Sequence, residues 1–392
     1  MVRLGDITST ITKGTTPTTL GFDFQEQGIN FVKIECITEN GDFLIDKFEH
    51  ISEICNNKLK RSQLEKNDIL FSIAGAIGRT AIVTDDILPA NTNQALAIIR
   101  LNDSRFSHNY VIYSLKSDLI YKQFEKQKQG VAQLNISLKN VSDLKIPLPP
   151  LEIQHQIVEN LDKVTHLIDL CNQILKKFDS LVKSRFVEMF GDTESNSNGF
   201  PTYKLSSLCA VSSSKRIYQD EQSSSGVPFL RISNLVELIE SGYFNSDLFI
   251  PEGKYHELLE NDLVPKAGDI LVTSRGTLGK CYIVQKNDKF YFQDGMISWL
   301  YDIDSSITPL YLTLLFDTRD IKRQIENLQS GSTVAYLSIA MLKKLNIVVP
   351  PITLQEQFAA FVEQTDKSKL AVKKVLEKAE TLKKALMQEY FG

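Results

Sequence analysis

Two glycine-containing turns are the parts of this sequence that come closest to a ligand-binding motif. They occupy residues 72–80 (SIAGAIGRT) and 273–281 (TSRGTLGKC), and both approach the phosphate-binding pattern G-x-x-x-x-G-K-[ST]. In the second turn Ser274 stands where the first glycine belongs, and Cys281 replaces the hydroxyl that would hold magnesium. We therefore predict a strand and a glycine turn, not a nucleotide site. The basic side chains of the turns stay available to contact phosphate groups: Arg79, Arg275 and Lys280.

No constellation of acid, base and nucleophile stands out in the sequence. The five histidines are dispersed, and neither H-E-x-x-H nor G-x-S-x-G is present. The five cysteines are scattered without a C-x-x-C pair, as expected for thiols of a reduced cytoplasm. We predict a binding protein with no catalytic residue, no metal site and no cofactor.

Length and composition predict more than one domain. A chain of 392 residues is long enough for two or three domains, and 42% hydrophobic residues can fill more than one core. No apolar run of about 18 residues and no secretory signal stand out, so we expect a cytoplasmic protein without membrane contact. The net charge of −4 argues against a protein that grips nucleic acid tightly on its own.

An internal repeat organises the chain. Residues 68–191 align with residues 269–392 without a gap. DILFSIAGAIGRTAIV lies over DILVTSRGTLGKCYIV, IPLPPLEIQHQI lies over IVVPPITLQEQF, and both copies finish in Phe-Gly. Because the shared residues include glycines and prolines that fix the backbone, we predict two copies of one fold.

Each copy has the same internal order. Short β-like runs broken by turns come first, a Pro-Pro pair follows, and a long stretch then lacks glycine and proline until its final glycine. At 1.5 Å per residue that stretch makes a helix of about 60 Å, too long to bury its apolar stripe in one compact domain, so we expect the two helices to pair. The predicted segments are two α/β domains, residues 1–150 and 192–351, and two helices, residues 151–191 and 352–392.

Both helices carry the heptad pattern of a coiled coil, with apolar or small residues at alternating steps of four and three. In the first helix the predicted seam is Ile157, Leu161, Val164, Ile168, Cys171, Leu175, Phe178 and Val182. In the second helix it is Phe361, Thr365, Ser368, Val372, Val375, Ala379, Leu382 and Leu386.

These motifs together resemble the DNA-specificity subunits of type I restriction-modification systems. The resemblance rests on P-L-P-P-L-x-x-Q before a long helix that ends near Phe-Gly, and on repetition of the whole unit. The glycine turns and the segments GVAQLNISLKNVSDLKIPLPP and GSTVAYLSIAMLKKLNIVVPP are typical of the target recognition domains of that family. The resemblance covers essentially the entire chain.

The resemblance implies an α+β fold in which two tandem target recognition domains are joined by two antiparallel helices with an approximate two-fold relation. Each domain would read one part of a bipartite double-stranded DNA site, and the helices would fix the gap between the parts. Two methylase subunits would clasp the helices, and restriction subunits with an ATP-driven motor would join outside them. Such partners would explain both the weak net charge and the missing catalytic residues.

Base readout requires side chains with paired donors and acceptors on loops, which suggests candidates in both domains. In the first domain they are Lys13, Thr15, Thr16, Lys33, Arg79, Asn91, Asn93, Gln94 and Gln133. In the second domain they are Lys215, Arg216, Arg231, Asn234, Arg275, Thr277, Lys280, Gln293, Ser332, Thr333 and Tyr336.

Two other functions remain open from the sequence. The same chain could serve a type IIB-like methylase-nuclease as its recognition subunit. A chain of another class would be a two-domain coiled-coil scaffold that binds protein or glycan, and binding that depends on a bipartite DNA sequence would distinguish it.

Overall fold

The computed structural model describes residues 1–103, 105–125, 136–329 and 335–392. It divides into two compact units, each of which contains part of both long helices. Unit 1 comprises residues 1–174 and 372–392, and unit 2 comprises residues 175–371.

Unit 1 is built from short strands and helices before its first long helix. The strands are β1 (Val2–Arg3), β2 (Thr8–Lys13), β3 (Ile29–Val32), β4 (Glu49–Ile51), β5 (Ile69–Ser72), β6 (Thr80–Ile82), β7 (Ala90–Thr92), β8 (Leu96–Leu101) and β9 (Lys145–Ile146). The helices are α1 (Glu53–Lys58), α2 (His108–Leu115), α3 (Asp118–Glu125), α4 (Leu138–Ser142) and α5 (Leu151–Phe190), which continues into unit 2.

Unit 2 repeats this order of elements closely. The strands are β10 (Thr202–Lys204), β11 (Ala210–Ser212), β12 (Val227–Leu230), β13 (Phe249–Ile250), β14 (Ile270–Thr273), β15 (Cys281–Ile283), β16 (Tyr291–Phe292), β17 (Ile297–Tyr301) and β18 (Asn346–Val348). The helices are α6 (Leu205–Leu208), α7 (Ile232–Ser241), α8 (Glu252–Glu260), α9 (Pro309–Leu315), α10 (Arg319–Leu328), α11 (Ile339–Leu342) and α12 (Ile352–Phe391), which continues into unit 1.

Sheet topology is the same in the two units. Unit 1 has a four-stranded sheet of order β2-β8-β5-β6, a three-stranded sheet of order β4-β3-β7 and the pair β1-β9. Unit 2 has the corresponding sheets β11-β17-β14-β15 and β13-β12-β16 and the pair β10-β18. In both three-stranded sheets the central strand runs parallel to one neighbour and antiparallel to the other. The predicted duplication of one α+β fold is confirmed.

Hydrogen bonds explain the P-P-x-x-x-Q motif at the start of each long helix. In unit 1 the buried Gln154 accepts from the Ser107 amide at 3.0 Å and donates to the Pro149 carbonyl at 2.8 Å. In unit 2 the buried Gln355 accepts from the Thr308 amide and donates to the Pro350 carbonyl, both at 2.8 Å. A buried amide needs such partners, so each glutamine ties the first turn of its helix to the adjoining β domain.

Within each unit the two long-helix segments run antiparallel. In unit 1, Leu161 near the start of α5 belongs to a core cluster with Phe391 at the end of α12. In unit 2, Phe190 at the end of α5 lies 5.4 Å from Phe358 near the start of α12, centroid to centroid. The predicted antiparallel pairing of the helices therefore appears in both units.

The apolar seam of α5 follows the expected positions, although only part of it is fully buried. Leu161 is completely buried, Ile157 is 7% exposed and Cys171 is 4% exposed. Val182 is buried at 9% exposure, and the other predicted positions are half-buried: Val164, Ile168, Leu175 and Phe178.

On α12 the buried face departs from the predicted seam at two positions. Val375 and Leu382 are 44% and 49% exposed, whereas Ala379 is 3% exposed and Leu376 is half-buried. Thr365, Val372, Ala379 and Leu386 recur every seven residues and belong to either of two possible seams. The second series of the seam can lie three residues after them, at Val375 and Leu382, or four residues after them. Apolar character alone selects the series with Val375 and Leu382. In the structure the buried face of α12 instead includes the series four residues after them, the half-buried Lys369, Leu376 and Lys383. The apolar stem of a lysine can cover a seam while its charge stays in water.

Candidate nucleic-acid interface

In unit 1 the loop after β2 lies against the loop before β8. The Gly14 amide donates to the Asn93 carbonyl at 3.1 Å, and a Cβ on Gly14 would come within 1.6 Å of the Thr92 carbonyl oxygen. The Thr16 hydroxyl donates to the Gln94 side-chain oxygen at 2.6 Å. Five sequence-predicted residues are therefore brought together at one edge of the unit: Lys13, Thr15, Thr16, Asn93 and Gln94.

Unit 2 has the equivalent pair of loops, with different side chains. The Ser213 hydroxyl donates to the Ile297 carbonyl and accepts from the Gly295 amide, both at 3.1 Å. The Arg216 guanidinium donates to Asp294 at 2.9 Å, where unit 1 has the Thr16–Gln94 contact. Gln293 is half-buried in the same loop, and its backbone amide donates to the Leu230 carbonyl at 2.9 Å. The two units therefore share one backbone scaffold but carry different polar side chains on these loops.

The glycine turns are held by a hydroxyl at the end of a buried strand. In unit 1, Ser72 Oγ accepts from the Arg79 amide at 2.8 Å, and in unit 2, Thr273 Oγ1 accepts from the Lys280 amide at 2.9 Å. Gly279 has a φ of +75°, a conformation that favours glycine. The turns are therefore ordinary strand-to-strand connections, as predicted, and lack the phosphate-binding sequence.

Most of the predicted basic residues are paired within their own unit. Lys33 Nζ lies 2.5 Å from Glu49 and 4.6 Å from the Phe24 ring centroid, and Arg79 donates to the Ile37 carbonyl at 3.2 Å. The carboxylate partners in unit 2 are Glu257 for Lys215, Asp294 for Arg216, Asp247 for Arg231 and Glu240 for Lys280. Hydrogen bonding from Arg231 lowers the pKa of the Asp247 carboxyl below its usual value.

Arg275 has a different environment. It is exposed in the turn after β14, and its guanidinium carbon lies 5.0 Å from the Tyr336 ring centroid. Thr277 is exposed two residues further along the same turn. None of the ion pairs found in the described parts of the chain includes Arg275.

Two of the predicted base-reading amides are internal. Asn91 is fully buried and donates to Asn56 Oδ1 at 2.9 Å. Asn234 is 7% exposed and donates to the Asn245 carbonyl at 2.8 Å. Because these amides already hold loops in place, they do not present donors to solvent in this structure. Gln133, Ser332 and Thr333 lie outside the described residues.

Sequence reasoning missed the acidic residues of this surface. The carboxylates lie far from their basic partners in the chain: Asp294 is 78 residues from Arg216 and Glu240 is 40 residues from Lys280. No local pattern signals such a pair. The amide donors and acceptors of the loops, in contrast, are visible in the sequence itself.

The described ranges of the chain contain neither a candidate metal cluster nor a candidate membrane-spanning helix. No group of three or more His, Cys, Asp or Glu residues there could hold a metal ion. No helix in those ranges is both long enough and apolar enough to cross a bilayer.

Two like units, each with a solvent-facing set of polar loops and joined to 40-residue helices, define a duplicated α+β binding protein. The sequence family described as the type I restriction modification DNA specificity domain matches residues 1–178 and 198–383. The chain therefore belongs to the type I restriction-modification DNA specificity family, as the sequence motifs indicated.

Individual relatives agree with this assignment. The chain is 29% identical over 175 residues to the EcoBI specificity subunit of Escherichia coli, an alignment covering 42% of this chain and 35% of the relative. It is 24% identical over 409 aligned positions to the MjaVIII specificity subunit of Methanocaldococcus jannaschii, covering 99% and 90% of the two chains. The chain thus spans about a third of the length of the first relative and nearly all of the second.

A solved structure supports the fold. A chain from a study of the assembly and conformational transition of a type I restriction-modification system superposes with a TM-score of 0.63 at 18% identity. The match covers 100% of this chain and 96% of the other. The α+β class with two long helices is thereby confirmed.

Proposed function

We propose that this chain is the DNA-specificity subunit of a type I restriction-modification complex and contributes no chemistry of its own. Each unit reads one half of a bipartite target in double-stranded DNA. The observation that carries this proposal is that the two units share one scaffold but differ in the side chains of their loops. Unit 1 has the Thr16–Gln94 contact where unit 2 has Arg216–Asp294. Two equal scaffolds with different polar edges are suited to two different base sequences.

The candidate contact residues fall into three groups under this proposal. Direct readout belongs to exposed or half-buried loop side chains: Lys13, Thr15, Thr16, Asn93, Gln94, Arg275, Thr277 and Gln293. Positioning belongs to the buried amides Asn91 and Asn234, which keep the loops in place. Basic side chains that are ion-paired, such as Arg216 and Lys280, would contact phosphate only after leaving their carboxylate partners. Such contacts would make binding depend on salt concentration.

The proposed partners are two methylase subunits on the long helices, with restriction subunits and an ATP-driven motor outside them, in the cytoplasm. Both units leave large apolar side chains exposed on these helices. In unit 1, Leu170 and Leu382 are 43% and 49% exposed, and in unit 2, Leu181 and Leu370 are 48% and 55% exposed. Exposed apolar residues on a helix face favour a protein partner over solvent. A net charge of −4 also fits a subunit whose partners complete the grip on DNA.

The proposal further assigns residues 1–150 and 192–351 to target recognition, and residues 151–191 and 352–392 to the spacer. If the chain instead serves a type IIB-like methylase-nuclease as its separate recognition subunit, it would use the same surfaces.

Binding by the purified complex with its methylase tests the proposal. We expect nanomolar-range affinity for a duplex that carries both half-sites, lost by a factor of about 10³ or more when either half is scrambled. Affinity should fall steeply between 50 and 200 mM salt, about as expected for several phosphate contacts. Equal affinity for scrambled duplexes would instead support a scaffold that does not read DNA sequence.

A further inference from the structure

The turn that carries Arg275 is anchored through the residue that precedes it. Ser274, before it, is buried, and its hydroxyl lies 2.7 Å from the Ser298 hydroxyl of the neighbouring strand β17. The Ser274 amide donates to the Met296 carbonyl at 2.9 Å, and the Ser274 carbonyl accepts from the Leu337 amide at 2.9 Å. After Arg275, Gly276 has a φ of +64°. The backbone of Arg275 is thus anchored while its side chain points to solvent.

Tyr336 supplies a surface for the Arg275 side chain. The two residues form an isolated antiparallel bridge, and the guanidinium carbon lies 5.0 Å from the ring centroid. An aromatic face attracts a guanidinium and holds its plane without consuming its N–H donors. The fork of donors therefore stays available to a ligand.

This availability distinguishes Arg275 from the other basic candidates of unit 2. Arg216 donates to Asp294 at 2.9 Å, and Arg231 is bound to Asp247. Lys280 lies 3.4 Å from Glu240. A carboxylate already occupies the donors of each, whereas the Arg275 guanidinium lies over the Tyr336 ring.

The repeat shows that this feature belongs to one unit alone. The alignment of residues 68–191 with 269–392 places Ala74 on Arg275. Ala74 lies in the equivalent turn of unit 1, between Ser72 and Gly75. The side chain at this position therefore differs in charge, length and donor number between two otherwise equivalent turns.

We propose that Arg275 reads a guanine in the half-site recognised by unit 2, and that unit 1 makes no equivalent contact. The planar fork of arginine donates two parallel hydrogen bonds to O6 and N7 of guanine, which is the commonest specific contact in the major groove. Tyr336 is a positioning residue, because it orients the guanidinium plane. Arg275 can have this role only if the chain reads DNA as proposed above.

Competition binding tests the assignment, with the complex of full-length chain and methylase. Duplexes carrying each of the four base pairs at every position of the unit 2 half-site compete against the intact target. The wild-type complex should show one G·C position at which the other three pairs weaken binding, by about 5- to 150-fold. Arg275→Ala should abolish the preference at that position and leave the unit 1 half-site unchanged. Arg275→Lys should retain affinity but lose most of the preference, because an ammonium lacks the planar fork.

Two further variants separate readout from charge and folding. Arg323→Ala removes an exposed arginine of unit 2 that is paired with Glu194, so it makes the same charge change away from the candidate loops and should leave every base preference intact. Tyr336→Phe should behave as wild type, and Tyr336→Ala should reduce the guanine preference in part. Thermal unfolding of all variants is compared with the wild-type complex.

The outcomes distinguish the assignment from the proposed function. A wild-type complex without any bipartite sequence preference would overturn the proposed function and this assignment together. A wild-type complex that reads a bipartite site, but whose guanine preference survives in Arg275→Ala, would overturn the assignment alone. The same holds if the unit 2 half-site has no G·C position at all.

Discussion

The ring of Phe391, the penultimate residue of the second repeat, packs against Tyr110 of the first repeat with centroids 5.3 Å apart. Its counterpart in unit 2 is Phe190, whose ring lies 4.7 Å from Tyr311. In both units the tyrosine hydroxyl donates to a carbonyl just before the Pro-Pro pair, at 3.0 Å in each case. The last helical residue of one repeat therefore completes the core of the other, which explains why both copies have phenylalanine at this position.

Removal of Phe391 should destabilise unit 1. The side chain is 2% exposed, and truncation of a buried phenylalanine to alanine costs about 3–5 kcal/mol. We expect Phe391→Ala to lower the urea midpoint of the transition that includes unit 1. Leu382→Ala, on an exposed position of the same helix, is the matched control and should change the midpoint little. Equal effects of the two substitutions would contradict the packing described for α12.

A charge at Gln355 should break the joint between α12 and the β domain of unit 2. Gln355 is fully buried, and its amide nitrogen donates to two carbonyls, at 2.8 and 2.9 Å. In Gln355→Glu a carboxylate would face those oxygens, which costs about 3 kcal/mol or more, or forces its protonation. Gln357→Glu, two residues further along and exposed, makes the same chemical change. Calorimetry should show a large drop in melting temperature for the first variant alone, and the prediction fails if both behave as wild type.

Release of Arg216 from Asp294 should change the salt dependence of DNA binding. Asp294→Asn removes the partner carboxylate of a guanidinium that is 65% exposed. If the freed arginine contacts phosphate, the slope of log affinity against log salt should steepen by about one unit. Asp302→Asn carries the same charge change at an exposed turn and should leave that slope as it is. An unchanged slope in Asp294→Asn would place Arg216 away from the DNA backbone.

The thiols of the folded chain should be unreactive. Burial raises the pKa of Cys209 to about 12 and raises the pKa of Cys36, Cys55 and Cys281, and Cys171 is 4% exposed. Because only the thiolate attacks, a disulfide reagent at pH 8 should modify Cys209 at least about 100-fold more slowly in the native chain than in the denatured chain. All five cysteines should titrate in denaturant. Rapid modification of several thiols in the native state would contradict the burial described.

The sequence predicted the architecture well because the determinants of architecture recur at fixed spacing. Identical residues stand at equivalent positions of the two repeats and make equivalent contacts: the Pro-Pro pairs, Gln154 with Gln355, and the terminal phenylalanines. The helix seam of α12 was predicted less well, since lysine stems share the buried face and an apolar pattern alone cannot reveal them.

The candidate DNA surface was harder to predict for a different reason. Whether an asparagine or an arginine is available depends on what lies opposite it in space. Asn91 donates a hydrogen bond to Asn56, 35 residues away, and Arg216 donates one to Asp294. Such partners become visible only after the chain has folded, so residue type alone overestimates the number of free readers.

Methylome sequencing of a host that carries this gene with its methylase would show whether each unit reads one half of the target. We predict a gapped motif with two unlike halves, and exchange of residues 200–350 for those of another family member should alter one half and leave the other intact. A continuous motif, or an exchange that alters both halves, would contradict the account.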